Sequence, residues 1–237
     1  MSRPTGPSGS PLVGRGDADR HAAVTRSLLG YGLVAGPFYV VVGLAQALTR
    51  DGFDLTRHEL SLLAAGPWGW IQIANLVLTG LMVLAAAVGM AHALRVLGSG
   101  PGTTWGPRLV GAYGVGMVGA GVFVVDPGNG YPPGTPDGPA TTVSIGSLGH
   151  LVFGGLGFLC LVAGALVLAR SQRPGLAWFS RLTGVLFLVA FASLASGSAS
   201  PAVVLGFWAA LLLVWVWLAV VSLDLYRRTP LLTPAGT

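Results

Sequence analysis

The sequence predicts an all-α integral membrane bundle of six transmembrane helices with both termini cytoplasmic. Three observations predict it. Of 237 residues, 53% are hydrophobic and only 9% charged, whereas about 25% are charged in a soluble domain. Six apolar runs, at about 27–48, 70–94, 106–125, 146–169, 177–198 and 202–224, are each long enough to cross about 30 Å of hydrocarbon at about 1.5 Å per residue. The arginines, finally, are divided very unequally between the two ends of those runs.

These figures exclude an ordinary soluble enzyme and a disordered chain. The mean hydropathy of +0.73 agrees. A net charge of +5 could suggest nucleic acid. The basic residues are all arginine, however, and they lie scattered at the ends of apolar runs. That placement fits orientation in a bilayer, so the lipid bilayer is the expected partner and nucleic acid is not. Cys160 is the only cysteine, which excludes an internal disulfide and a cysteine-based zinc site.

Residues 1–26 are rich in Gly, Pro, Ser and Arg and contain no apolar run. They are expected to form a disordered cytoplasmic tail. A signal peptide would need an apolar stretch directly after its basic start. The run 27–48 is too long for that and reads as the first span, with Pro37 kinking it. Residues 27–225 form the membrane domain and 226–237 a second cytoplasmic tail. Even span number leaves both ends on one side. Arg3, Arg15, Arg20, Arg26, Arg95, Arg108, Arg170, Arg173, Arg181, Arg227 and Arg228 fall on that side, against Arg50 and Arg57 on the other. The positive-inside rule therefore places both termini in the cytoplasm of a multi-pass cell-membrane protein.

Small residues recur at four-residue spacing: Gly32 and Gly36, then Ala112, Gly116 and Ala120, then Gly146, His150 and Gly154. Such stripes let helix backbones approach closely.

The informative polar residues collect at the outer end. In the loop 49–69, Asp51-Gly52 signals a turn. Thr56 with Glu59 matches a capping box, which would start a short helix at Arg57. That helix carries Arg57, His58 and Glu59, then Leu60, Leu62 and Leu63, and is expected to lie in the interface or fold back into the bundle mouth. Trp68 and Trp70 would sit at headgroup level. Gln72, Asn75 and Thr79 share one face of the second span, either bonding between helices or lining a polar pocket. Asp126 ends the third span, where the helix dipole opposes an acid. It is expected to have a partner, either Arg57, Arg50 or a bound cation. The loop 126–143 has no basic residue, and its prolines and glycines read as a stiff lid. His150, one turn into the fourth span, should face the bundle interior or a watery cavity. His92 sits at the far end beside Arg95 and is expected to reach the headgroups.

The outer mouth can thus gather Asp54, Arg57, His58, Gln72, Asn75, Asp126 and His150 as candidate ligand-binding residues. Two histidines with carboxylates could hold zinc, and His58 with His150 could hold a haem if they lie at one depth. No HExxH or HxH spacing supports either cofactor. GxSxG and Walker motifs are absent, and spans 1–3 show no repeat in 4–6.

The segments GPFYVVVGLAQALTRDGFDLTRHELSLLAAGPWGWIQIANLVLTG (36–80), VGAYGVGMVGAGVFVVDPGNGYPPGTP (110–136) and SLGHLVFGGLGFL (147–159) resemble the DUF998 family of prokaryotic membrane proteins of unknown function. The resemblance covers roughly residues 27–225. It implies a six-helix integral membrane protein and no particular reaction. It draws attention to the run Phe53 to His58, to Asp126-Pro127, to the run Pro133 to Pro136, and to His150. Glu59 departs from the family pattern, in which small residues are common there. Three functions are compatible with this reading. The chain could bind or move a small molecule, ion or lipid headgroup, with Arg57 contacting an anion and Asp126 and His150 tuning it. It could be a lipid- or isoprenoid-modifying enzyme using His150 or His58 with Asp126. It could be an accessory subunit whose polar cluster fastens loops to helices. Cofactor, oligomeric state and enzymatic character are not legible here.

Overall fold

The computed structural model describes residues 11–98, 100–138, 142–197 and 200–229. Six helices follow in order: α1 (Pro11–Thr49), α2 (Gly69–Leu97), α3 (Pro101–Val122), α4 (Ile145–Leu168), α5 (Pro174–Ala195) and α6 (Pro201–Arg228). Prolines in the first turn open α3, α5 and α6, where a missing N–H costs nothing. The side chains of Ser144 and Ser200 cap α4 and α6.

Each helix packs on the next, and α6 closes the ring against α1. The short connections between α2 and α3, α4 and α5, and α5 and α6 make those neighbours antiparallel. One end of the bundle therefore carries the loops 50–68 and 123–144. The opposite end carries the start of α1 and the end of α6. Buried positions such as Leu29, Val83, Met90, Val110, Phe187 and Trp217 form the core. The outward faces are apolar too, with Leu81, Val115, Val189 and Val216 exposed. Helices apolar on all sides belong in a bilayer, and the chain is a multi-pass membrane protein.

One expectation is met in part, and another needs correction. Among the described residues five helices are long and apolar enough to span: α1 from Asp17, α2, α4 extended to Ser171, α5 and α6. The 22-residue α3 is not among them. Seven glycines lower its hydropathy, and they are there because α3 is wedged between α2 and α4. A Cβ on Gly116 would lie 2.7 Å from the Cα of Gly157 on α4, and one on Gly114 would lie 2.9 Å from the carbonyl oxygen of Gly80 on α2.

The correction concerns the tail. Helix α1 begins at Pro11, inside the stretch expected to be disordered, and passes through Pro37 without interruption. Residues 17–29 contain no Gly or Pro, and tertiary contacts hold them. Thr25 and Leu29 are buried, and the Arg26 guanidinium lies 4.1 Å above the Tyr226 ring of α6. The rest of both tails, 1–10 and 230–237, lies outside the described residues.

Candidate functional site

The loop after α1 turns at Gly52, whose φ of 78° favours glycine. No capping box forms. Asp54 Oδ1 accepts from both the amide and the hydroxyl of Thr56, each at 2.8 Å. These bonds hold the Asp54 carboxyl below the usual carboxylate range, the amide contributing most. The next helical element is a single 3₁₀ turn, Leu60–Ala64, whose N-cap residue is Glu59 and which has no side-chain cap bond. Its Leu60, Leu62 and Leu63 are buried, so the turn folds back into the bundle mouth, while Trp68 and Trp70 are exposed.

His58 is buried, and both its ring nitrogens are engaged. Nδ1 accepts from the Asp54 amide and Nε2 donates to the Asn129 carbonyl, both at 2.9 Å. Its ring also packs 5.7 Å from that of Tyr131, which meets Phe53 edge-on at 5.2 Å. His58 thus clamps the loop 123–138 onto the loop 50–59. Arg57 pairs with Asp137 on that same second loop at 2.8 Å, in an exposed position. Asp54, Arg57, His58 and Asn129 line one open depression.

The face predicted on α2 is present, and it bonds between helices. Gln72, Asn75 and Thr79 are all buried. Gln46 Nε2 donates to Gln72 Oε1 at 2.9 Å, and Asn75 Nδ2 donates to the Tyr39 carbonyl at 3.1 Å. Arg50 completes the chain by donating to Gln46 Oε1, to the Leu63 carbonyl at 2.7 Å and to the Trp68 carbonyl. Gln72 Nε2 has no partner among the described residues.

Asp126 does not pair with an arginine. Its carboxylate accepts from the Ser144 hydroxyl at 2.6 Å and the Ser144 amide at 2.8 Å. Those bonds hold its carboxyl below the usual range, the hydroxyl contributing most. The expected conflict with the α3 dipole is offset because the acid lies against the N-terminus of α4, where negative charge is favoured.

His150 is the candidate that reaches a cavity. Its Nδ1 lies 2.7 Å from the Ala120 carbonyl oxygen and 3.0 Å from that of Phe123. Both partners are acceptors, so Nδ1 carries the proton and Nε2 is left as an acceptor. The cavity it lines measures about 460 Å³ and is bounded by all six helices and the 3₁₀ turn. Tyr39, Tyr113, Phe158, Phe207 and Trp208 form apolar walls. Glu59 and Ser61 bound it at the loop end, and Tyr113 lies about 14 Å below the end of α3 at about 1.5 Å per residue. The hydroxyls of Tyr39 and Tyr113 have no hydrogen-bond partner among the described residues, and neither has buried Trp208 Nε1. Glu59 forms no ion pair there either.

Of the seven sequence candidates, then, three share the outer depression, two form the interhelical network, Asp126 caps α4, and His150 lines the apolar cavity. Sequence reasoning missed Tyr39, Tyr113 and Trp208 and discounted Glu59. A tyrosine near mid-span was the available signal, because its hydroxyl must find a partner or a polar space. His92, expected at the headgroups, is half-buried with Nδ1 unpartnered and lines a space shared with His21 and Thr25 of α1. Among the described residues, no group of three or more His, Cys, Asp or Glu side chains could hold a metal ion.

Residues 33–224 match the family described as "Protein of unknown function (DUF998)". No curated protein and no solved structure matches the chain. The match covers most of the sequence, and the chain belongs to that family.

Proposed function

We propose that this DUF998 family member is a six-span membrane protein, with both ends cytoplasmic, that binds a lipid-like amphiphile in the cavity beside His150. The single observation that carries this reading is the composition of the cavity wall. About 460 Å³ of space is lined chiefly by aromatic and aliphatic side chains, within the range typical of ligand pockets. Glu59, Ser61 and His150 lie toward its loop end, and Tyr39, Tyr113 and Trp208 bring the other polar atoms of the wall. A ligand with an apolar body and a hydrogen-bond-donating head matches that polarity. The head would meet acceptors, namely the Glu59 carboxylate and His150 Nε2. The body would lie against Phe158, Phe207 and Trp208.

The test uses protein purified in mild detergent, with bound lipids extracted and identified by mass spectrometry. A Cβ on Gly154, which lines the cavity, would have only Ala120 Cβ within 4 Å, at 3.9 Å, so Gly154→Leu fills the cavity and keeps the fold. The expected result is one amphiphile class retained by the wild type and lost from Gly154→Leu, with a lower yield from His150→Ala. Equal lipid content in the wild type and Gly154→Leu overturns the reading.

A further inference from the structure

A second site lies at the opposite end of the bundle, between the last turns of α2 and the first turns of α3. A cleft of about 510 Å³ is lined there by Arg95, Thr103, Thr104, Arg108 and a run of apolar and small side chains. Both arginines are exposed, and neither forms an ion pair among the described residues. Arg108 is held in place by Trp105, whose ring lies 5.2 Å from the guanidinium carbon. Trp105 is itself exposed, as an interfacial anchor would be. The Thr103 hydroxyl donates to the Gly100 carbonyl, whereas that of Thr104 has no partner among the described residues.

Below this cationic rim the cleft changes character. Leu84, Ala87, Val88 and Ala91 of α2 face Gly111 of α3. Two guanidiniums and a free hydroxyl thus sit above a groove that continues along the apolar surface of two membrane helices. A free anion would have no use for the groove, and an apolar chain would have no use for the rim. We infer that Arg95, Arg108 and Thr104 bind the phosphate of an anionic phospholipid, with one acyl chain lying in the Leu84–Gly111 groove. Basic pockets between membrane helices suit acidic headgroups for this reason. Arg57, by contrast, is paired with Asp137, and Arg173 and Arg228 with Asp224.

The test is lipid binding to the full chain in phosphatidylcholine nanodiscs titrated with phosphatidylglycerol, read by native mass spectrometry. Arg95→Gln and Arg108→Gln should each weaken phosphatidylglycerol binding roughly fivefold, and the pair roughly 25-fold. The control is Arg170→Gln with Arg227→Gln, which removes the same charge from the same end outside the cleft. An equal loss in that control would reduce the effect to bulk electrostatics and overturn the site. Inorganic phosphate competing as well as the lipid would show a simple anion site and overturn the lipid assignment. Gly111→Leu, whose Cβ would meet only Ala87 and Leu84 at 3.6 Å and beyond, should weaken lipid binding while leaving the arginines intact.

Discussion

His150 of α4 donates from Nδ1 to the carbonyl oxygen of Ala120 in the last turn of α3, at 2.7 Å. The carbonyl of Phe123 takes the same proton at 3.0 Å. These belong to the terminal carbonyls that a helix cannot bond internally, so His150 acts as a cap delivered from the neighbouring helix. Asp126 returns the arrangement by bonding Ser144, eighteen residues on in sequence, at the start of α4. The two helices are therefore stapled at one end by reciprocal caps, and the staple fixes where the His150 ring meets the cavity. His150→Ala should lower stability by about 1–3 kcal/mol, because it strands buried carbonyls. Denaturation of the detergent-solubilised variant measures it, and an unchanged midpoint would refute the capping role.

Ser144 caps its own helix and also receives Asp126, since its hydroxyl accepts from the Ser147 amide at 3.0 Å while donating to the carboxylate. Ser144→Ala should cost about 1 kcal/mol. Asp126 adds a pH signature. Its carboxyl is held below the usual range by the Ser144 hydroxyl and amide. A depressed folded value means the stabilisation is present above the unfolded value of about 4 and disappears as pH falls through the folded one. The stability gap between wild type and Asp126→Asn should thus be constant from neutral pH to about pH 5 and close below about pH 4. A gap that widened in acid would contradict the assignment.

His58 and Arg57 are adjacent, yet substituting them should have unequal effects. His58 is 1% exposed, with both ring nitrogens bonded, so His58→Ala should cost about 1–3 kcal/mol. It should also expose the loop 126–138 to protease. Arg57 meets Asp137 with both side chains largely in solvent, so Arg57→Gln should stay within about 1 kcal/mol. Thermal melts and limited proteolysis of the two variants separate them.

The pattern of what could be read in advance follows from locality. Gln72, Asn75 and Thr79 were legible as one face because spacing of three and four fixes a helical face. Their partners, Gln46 and the Tyr39 carbonyl on α1, depend on which helices meet and were not legible. The capping box is absent because the chain does not turn helical after Thr56 but only at Leu60, where Glu59 holds the N-cap position. Arg57 was assigned to Asp126 or to a bound anion because nothing local links it to Asp137, 80 residues away. The cavity was hidden for a different reason. In an apolar run, Tyr113 and Phe158 read as core whether they pack against side chains or line a space.

Orientation yields a prediction of its own. The end of the bundle where α1 begins and α6 ends also carries Arg95, Arg108, Arg170 and Arg173, and positive-inside sorting predicts that it faces the cytoplasm. A reporter active only in the cytoplasm should give signal when fused after Thr237 and none when inserted in the loop 126–143. The reverse pattern would invert the protein and put His58 and Asp126 in the cytoplasm.

The glycines of α3 supply the sharpest contrast in tolerance. A Cβ on Gly116 would lie 2.7 Å from the Cα of Gly157 and 2.7 Å from the Phe153 carbonyl oxygen. Both are backbone atoms of α4, so no rotamer change relieves the clash. The helices would have to separate, and the reciprocal caps of His150 and Asp126 span the same contact. Gly116→Ala should therefore sharply reduce the folded fraction in detergent. On α6, a Cβ at Gly206 would meet nothing within 4 Å, and alanine there should be neutral or stabilising by about 0.5–1 kcal/mol. Monodispersity on size-exclusion chromatography reads both. If the two variants behaved alike, close α3–α4 packing would not be what holds this end of the bundle together.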